Sequence, residues 1–547
     1  MKSLFKTMLL ATSASLALYS CTDLEEELVG EITTAVSVDA PAAAGSGSGG
    51  GDALAGAYSQ LQWSGTANHF NYFSLNGLTS DEMVIAAKGG DWYDGGVLIE
   101  LHQHTFNPTN AMVGGTWGSQ YGAIGAINDA IANLGLDNNQ TAQMRALRAY
   151  FYWRMLDMWG GVKVVTQPGQ DQPQSTRAAV FTFVESELLA ALGITEVTAN
   201  MDLSNSNLGL DRNTYRINRY AAMGMLAKLY LNAEVYTGTA MYDKAEMAAS
   251  HIIDSGVYSI CGVGCSVPNL GKRPTVASDP NNLEGYAAVF APNNDQNPEH
   301  IFAVNYDEAT AGGMNFSQMT LHYSSQFTWN FQDQPWNGYA AVEDFYNSYT
   351  DGDLRKANNF IVGPQLDFGG SAVLDYASDD GNPPLNYTPS INELQPNSLR
   401  EAGARLGKFS FKQFGRPDMS NDFPIVRLGD IYLIRAEARA RQAGNWSDAG
   451  ALADVNVIRT RAGVSPFTSM TADSFFDERG REMFQETSRR TDQIRFGKWD
   501  DAWWEKPGES TDNDNGSVAT DYHKNVFPIP FDAITASNGS LTQNTGY

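Results

Sequence analysis

Apolar residues from Gln143 to Trp159 fall at Met144, Leu147, Phe151, Met155 and Met158, at spacings of 3, 4, 4 and 3. That spacing predicts a helix with one apolar face, and Gly160-Gly161 stops it. The same periodicity predicts helices at about 113–134, 180–192, 218–236, 242–255, 428–443, 446–462 and 472–496. Two of these segments resemble each other. Tyr242-Asp-Lys-Ala245 with Ala249, Ile253 and Gly256 parallels Trp446-Ser-Asp-Ala449 with Ala453, Val457 and Gly463. An Ala-rich helix precedes each, and small residues let paired helices approach, as in degenerate tetratricopeptide-type hairpins. The predicted fold is mostly α-helical, built on such hairpins. Between about 260 and 425 the pattern breaks into short apolar runs among Gly, Asn, Asp and Pro. This reads as a loop-rich insertion, where ligand sites tend to lie.

The N-terminus follows another pattern. Lys2 and Lys6 precede an apolar run from Met8 to Leu18, and Leu18-Tyr19-Ser20-Cys21 follows. This has the form of a secretory signal, too short to span a bilayer. Ending on Cys21, it fits a lipoprotein signal at 1–20, with the Cys21 thiol lipidated. Acyl chains, at about 0.8 kcal/mol per buried CH₂, would hold the chain on a membrane. The acidic Asp23-Leu-Glu-Glu-Glu27 and the Gly/Ser/Ala-rich stretch from Asp39 to Asp52 follow. Residues 21–51 therefore read as anchor, acidic run and flexible tether, and 52–547 as one folded domain.

Charge narrows the partners. Acidic residues outnumber basic ones 62 to 36, a net charge of −26, which disfavours nucleic acid. Besides Cys21 there are only Cys261 and Cys265, in Cys-Gly-Val-Gly-Cys. In an oxidising compartment these most simply close a small loop disulfide. No Gly-x-Ser-x-Gly, His-Glu-x-x-His or phosphate loop is present. His102 and His104 lack further ligands and read as structural, so no metal site is assigned. A structural calcium stays open, with no Asp-x-Asp-x-Asp-Gly loop to hold it. From Arg427 to Lys498, eleven Arg and one Lys face ten acids, which reads as ion-paired helix faces.

Several blocks carry a family resemblance. Arg145-Ala-Leu-Arg-Ala-Tyr-Phe-Tyr-Trp-Arg-Met-Leu-Asp-Met-Trp-Gly160 and Phe423-Pro-Ile-Val-Arg-Leu-Gly-Asp-Ile-Tyr-Leu-Ile-Arg-Ala-Glu-Ala-Arg-Ala440 resemble segments of the SusD/RagB family. So do Val455 to Gly463, Glu478 to Glu486, Arg489 to Gly497, Phe527-Pro-Ile-Pro530 and Gln543-Asn-Thr-Gly-Tyr547, in the same order along the chain. The resemblance implies a lipid-anchored protein on the outer face of the outer membrane. It implies non-catalytic capture of a polysaccharide or oligosaccharide for a SusC-type TonB-dependent transporter, with peptide capture of the RagB type as the alternative. Net acidity favours a neutral glycan.

A sugar ring offers a C–H face to aromatics and a hydroxyl rim to polar groups. The candidates are therefore aromatics in polar, irregular segments. Asp91, Trp92 and Tyr93 stand in Lys88-Gly-Gly-Asp-Trp-Tyr-Asp-Gly-Gly96, with the composition of an exposed platform; Trp92 resembles a position where the family places a sugar-stacking Trp. Tyr323, Trp329, Asn330 and Trp336 stand in the second segment, His322 to Gly338. Trp336 suits a ligand contact or a structural turn equally.

Overall fold

The computed structural model describes residues 52–508 and 525–547. The signal, Cys21, the acidic run and the tether up to Gly51 lie outside the described residues. Eight helices of twelve or more residues stand among those described: α1 (Ala111–Asn133), α2 (Asn138–Trp159), α3 (Arg177–Leu192), α4 (Arg219–Leu231), α5 (Tyr242–Asp254), α6 (Leu428–Ala443), α7 (Ala449–Arg461) and α8 (Ala472–Met483). Each from α1 to α6 packs on the next, so α5 meets α6 across the whole loop-rich insertion, and α8 packs back on α6. The protein is mostly α-helical, as predicted.

α2 shows why the sequence folds this way. The Asp137 carboxylate accepts from the Gln140 N–H at 2.8 Å, and Gln140 accepts from the Asp137 N–H in return, a capping box. Gly160, at φ +72°, closes the other end. The single apolar face does not hold, because α2 is buried nearly all round and carries Arg148, Arg154 and Asp157 inward. Arg148 meets Glu187 of α3 at 2.6 Å and Asn128 of α1 at 2.8 Å, so one guanidinium ties three helices.

Small residues set the spacing in the hairpins: Ala221, Ala222, Ala245, Ala248 and Ala249 are fully buried. At Gly224 an added Cβ would come within 2.4 Å of Val426, so the helix approaches the strand Phe423–Arg427 too closely for any side chain. Two predicted helices are interrupted. Asn232 ends α4 by donating to the Lys228 carbonyl at 2.9 Å, and a short turn, Ala233–Thr237, continues beyond it. The 472–496 segment breaks after Met483. There the buried Lys408 ammonium donates to the carbonyls of Glu482 and Phe484 at 3.0 and 2.8 Å, and Gln485 and Thr487 take positive φ. The chain becomes helical again at Arg489–Arg495.

The charges between Arg427 and Lys498 are ion-paired but largely interior rather than on solvated faces. Arg427 meets Glu299, Glu482 and Glu486 at 2.9, 2.8 and 2.6 Å, while Arg355 and Arg461 share Glu482. These cations hold the Glu482 carboxyl down to about 2 against the cost of burial. Cys261 and Cys265 are bonded, with Cα atoms 5.2 Å apart. His102 and His104 are buried, their Nε2 atoms against the Trp504 and Thr79 carbonyls.

Two short antiparallel strands position the loops that matter: β1 (Met83–Ile85) and β2 (Tyr339–Ala341), with Ile85 opposite Tyr339. The chain leaves β1 at Ile85 toward Trp92 and enters β2 at Tyr339 from Trp336. Antiparallel pairing therefore brings the two candidate segments to one end of the same ribbon.

Candidate functional site: an aromatic ledge with a polar rim

The turn Lys88-Gly89-Gly90-Asp91 is closed by paired backbone bonds between Lys88 and Asp91, with Gly89 at φ +69°. The 394–398 segment clamps its flank, through Ala87 N–H to Leu394 O at 2.9 Å and Gly89 N–H to Pro396 O at 3.0 Å. The opposing turn is held as firmly. Trp336, Asn337 and Gly338 donate to the carbonyls of Gln318, Leu321 and Met319 at 2.7, 2.9 and 2.9 Å.

Trp92 is not an exposed platform. It is 9 % exposed, its indole N–H donates to the Trp336 carbonyl at 2.5 Å, and its ring packs edge-on to Tyr339 and His69. A Cβ on Gly338 would fall 2.5 Å from the Trp92 ring. The residue opposite therefore has no side chain, and Trp92 fills that space as a brace beneath Trp336.

Trp336 is the exposed partner, at 37 %. His69 lies edge-on to it at 4.8 Å, and Phe70 tilts against His69 at 3.8 Å with 51 % of its surface exposed. Burial lowers the His69 imidazole to about 4, despite the Asn315 hydrogen bond, so it is neutral near pH 7. Tyr93, 46 % exposed, stands on the other side of Trp92 in the chain. Polar groups sit beside these rings. The Tyr323 hydroxyl donates to Asp91, and burial together with that carboxylate holds the phenol protonated. Arg400 donates to Asn397 at 2.6 Å, and Asn397 donates to Asp379 at 3.2 Å, next to the Lys88–Asp91 turn.

The structure thus brings Asp91, Trp92, Tyr93, Tyr323 and Trp336 together. Trp329 and Asn330 belong elsewhere. Trp329 is half-buried, stacked on Phe331 at 5.6 Å and set edge-on to Phe411, so it serves packing rather than presenting a free face. Asn330 lines a separate cavity of about 390 Å³ with Phe327, Asp367, Phe368 and Tyr376. Sequence reasoning missed Phe70, Asn397 and Arg400. Asn68-His-Phe-Asn71 has the aromatic-among-amides composition used for the other candidates and could have been found by it; Asn397 and Arg400 carry no local signal. A more apolar cavity, about 780 Å³, opens by Gly262, Val263, Leu354 and Val457 and contains none of the expected residues. Among the described residues no group of three or more His, Cys, Asp or Glu is placed to hold a metal ion.

With this geometry in view, residues 397–547 match the model of the SusD family. The chain is 26 % identical over 452 residues to the starch-binding protein SusD of Bacteroides thetaiotaomicron, covering 75 % of this chain and 73 % of that one. The C-terminal part of the chain carries the SusD family's pattern, and the chain is similar to members of that family over most of its length. It is also 23 % identical to the SusD-like protein P25 of Formosa agariphila, over 70 % of each chain. Its fold matches solved SusD-like structures. A laminarin-binding SusD-like protein superposes with a TM-score of 0.64 at 22 % identity, over 90 % of this chain and 98 % of that one. The surface glycan-binding protein A of Bacteroides thetaiotaomicron, solved with laminarihexaose, gives 0.64 at 20 % identity over the same shares.

Proposed function

We propose that this chain, similar to SusD-family proteins, captures a glycan without chemically altering it. The observation that carries this reading is the ledge of Phe70 and Trp336, joined through His69, beside the hydrogen-bonding rim of Asp91, Tyr323, Asn397 and Arg400. Rings cover the C–H faces of a sugar, and fixed donors and acceptors take its hydroxyls. Nothing in that exchange needs a proton transfer, and the neutral His69 and protonated Tyr323 suit hydrogen bonding. The relatives whose names state a ligand state starch, laminarin or laminarihexaose, which favours a glycan over a peptide. The carboxylates in the rim and the net charge favour a neutral polymer. The Cys21 pattern supports a lipid-anchored location on the outer membrane, with delivery to a SusC-type transporter.

Native affinity electrophoresis in gels containing laminarin, soluble starch and other neutral polysaccharides tests the reading. Retardation by at least one polymer, with no release of reducing ends, is expected. Reducing-end release by the purified chain would replace this reading with an enzymatic one.

A further inference from the structure

Phe327, Tyr376 and Phe414 are 49 %, 61 % and 58 % exposed. Large aromatics grouped at a surface mark interaction sites more often than chance placement does. Phe327 and Tyr376 meet edge-on at 6.4 Å across the 390 Å³ cavity lined also by Phe368, Asn330 and Asp367. Phe368 extends the patch to Phe414 at 5.4 Å. The mixture of ring faces, an amide and a carboxylate is the chemistry of the first ledge again.

The two patches are mechanically joined. Tyr323, in the rim of the first, and Phe327, in the second, lie four residues apart on the short helical stretch Tyr323–Trp329, hence on one side of it. That stretch is fixed from below: the Tyr387 hydroxyl accepts from the His322 N–H at 2.8 Å and bonds Ser325 at 2.6 Å. The buried His322 ring lies 3.0 Å from Asp375, the neighbour of Tyr376. The Phe327 carbonyl accepts from the Phe368 N–H at 2.9 Å, which fixes the far wall.

We propose that Phe327 and Tyr376, with Phe368, Asn330 and Asp367, form a second subsite holding a distal stretch of the same glycan chain that rests on the Trp336 ledge. The inference rests on the glycan-binding reading above. Joined on one rigid base, the two subsites favour long chains over short ones, because the second contact is made at high effective concentration.

The test uses laminarin or soluble starch, whichever retards the wild-type chain, and a trisaccharide of the same linkage, titrated calorimetrically. The double variant Phe327→Ala/Tyr376→Ala is expected to bind the polymer about tenfold more weakly and the trisaccharide unchanged within about twofold. Tyr376→Ala alone, at the more exposed position, repeats the comparison should the double variant melt lower. Polymer affinity unchanged in both variants, while Trp336→Ala abolishes retardation, overturns the second subsite and leaves the ledge standing. A wild-type chain retarded by none of the neutral polysaccharides overturns the glycan reading and the subsite with it.

Discussion

Replacing Trp92 with Phe separates a brace from a binding surface. The substitution removes the N–H that donates to the Trp336 carbonyl and shortens the ring packed under Gly338. The lost partner of a part-buried carbonyl costs about 1–2 kcal/mol, and the gap adds about 1 kcal/mol, a loss of about 2–3 kcal/mol in stability. Glycan affinity is expected to fall less than tenfold, through a loosened Trp336 rather than a lost contact. Trp336→Ala should behave oppositely. Its side chain is over a third exposed, so stability should change by at most about 1 kcal/mol while binding is lost. Urea unfolding followed by circular dichroism gives the first quantity, and affinity electrophoresis the second. A Trp92→Phe variant that keeps its stability within about 0.5 kcal/mol yet no longer binds would refute the brace and put the indole against the sugar.

Three further outcomes follow from buried groups. Burial raises the Glu82 carboxyl from 4.5 to about 8, its neighbour Arg489 being paired with Asp81. A raised acid is a penalty that grows as the unfolded chain ionises above its ordinary value and levels off above the folded one. Glu82→Gln should therefore raise the melting temperature by an amount that grows from pH 5 to pH 8 and then stays flat; an equal gain at pH 5 and pH 8 would contradict the assignment. Glu482→Gln leaves Arg427 and Arg461 short of a buried partner and should cost about 3–5 kcal/mol in chemical denaturation, whereas a loss below about 1 kcal/mol would show the network to be dispensable. Cys265→Ser opens a very short loop, so its stability loss should be only about 2 kcal/mol, and the same loss should appear in the wild-type chain under reductant.

Much of the scaffold was legible because it is local. The stop of α2 at Gly160 is written in adjacent residues, whereas its start at Asn138, capped by Asp137, lies five residues ahead of the periodic run that begins at Gln143. The Cys261–Cys265 bond spans four positions. What was not legible depends on distant chain segments. α8 ends where it does because Lys408 takes its last carbonyls, and nothing between 472 and 496 announces a cation from another element. Trp92 stands in a loop whose composition suits exposure, yet its burial is decided by Gly338 and Trp336, some 244 positions away. The role of Trp336 was open in the sequence for the same reason: it is both the turn aromatic and the exposed ring. Trp329, amid amides and acids, is covered by Phe331 and by Phe411 from far along the chain. Periodicity foresaw the helices, while exposure of single aromatics needed the tertiary structure.

The most direct test of the central claim is calorimetric titration of the wild-type chain and Trp336→Ala with the neutral polysaccharide that retards the wild type. Saturable binding by the wild type and none by a variant with an unaltered melting curve would support the ledge; equal binding by the two would contradict it.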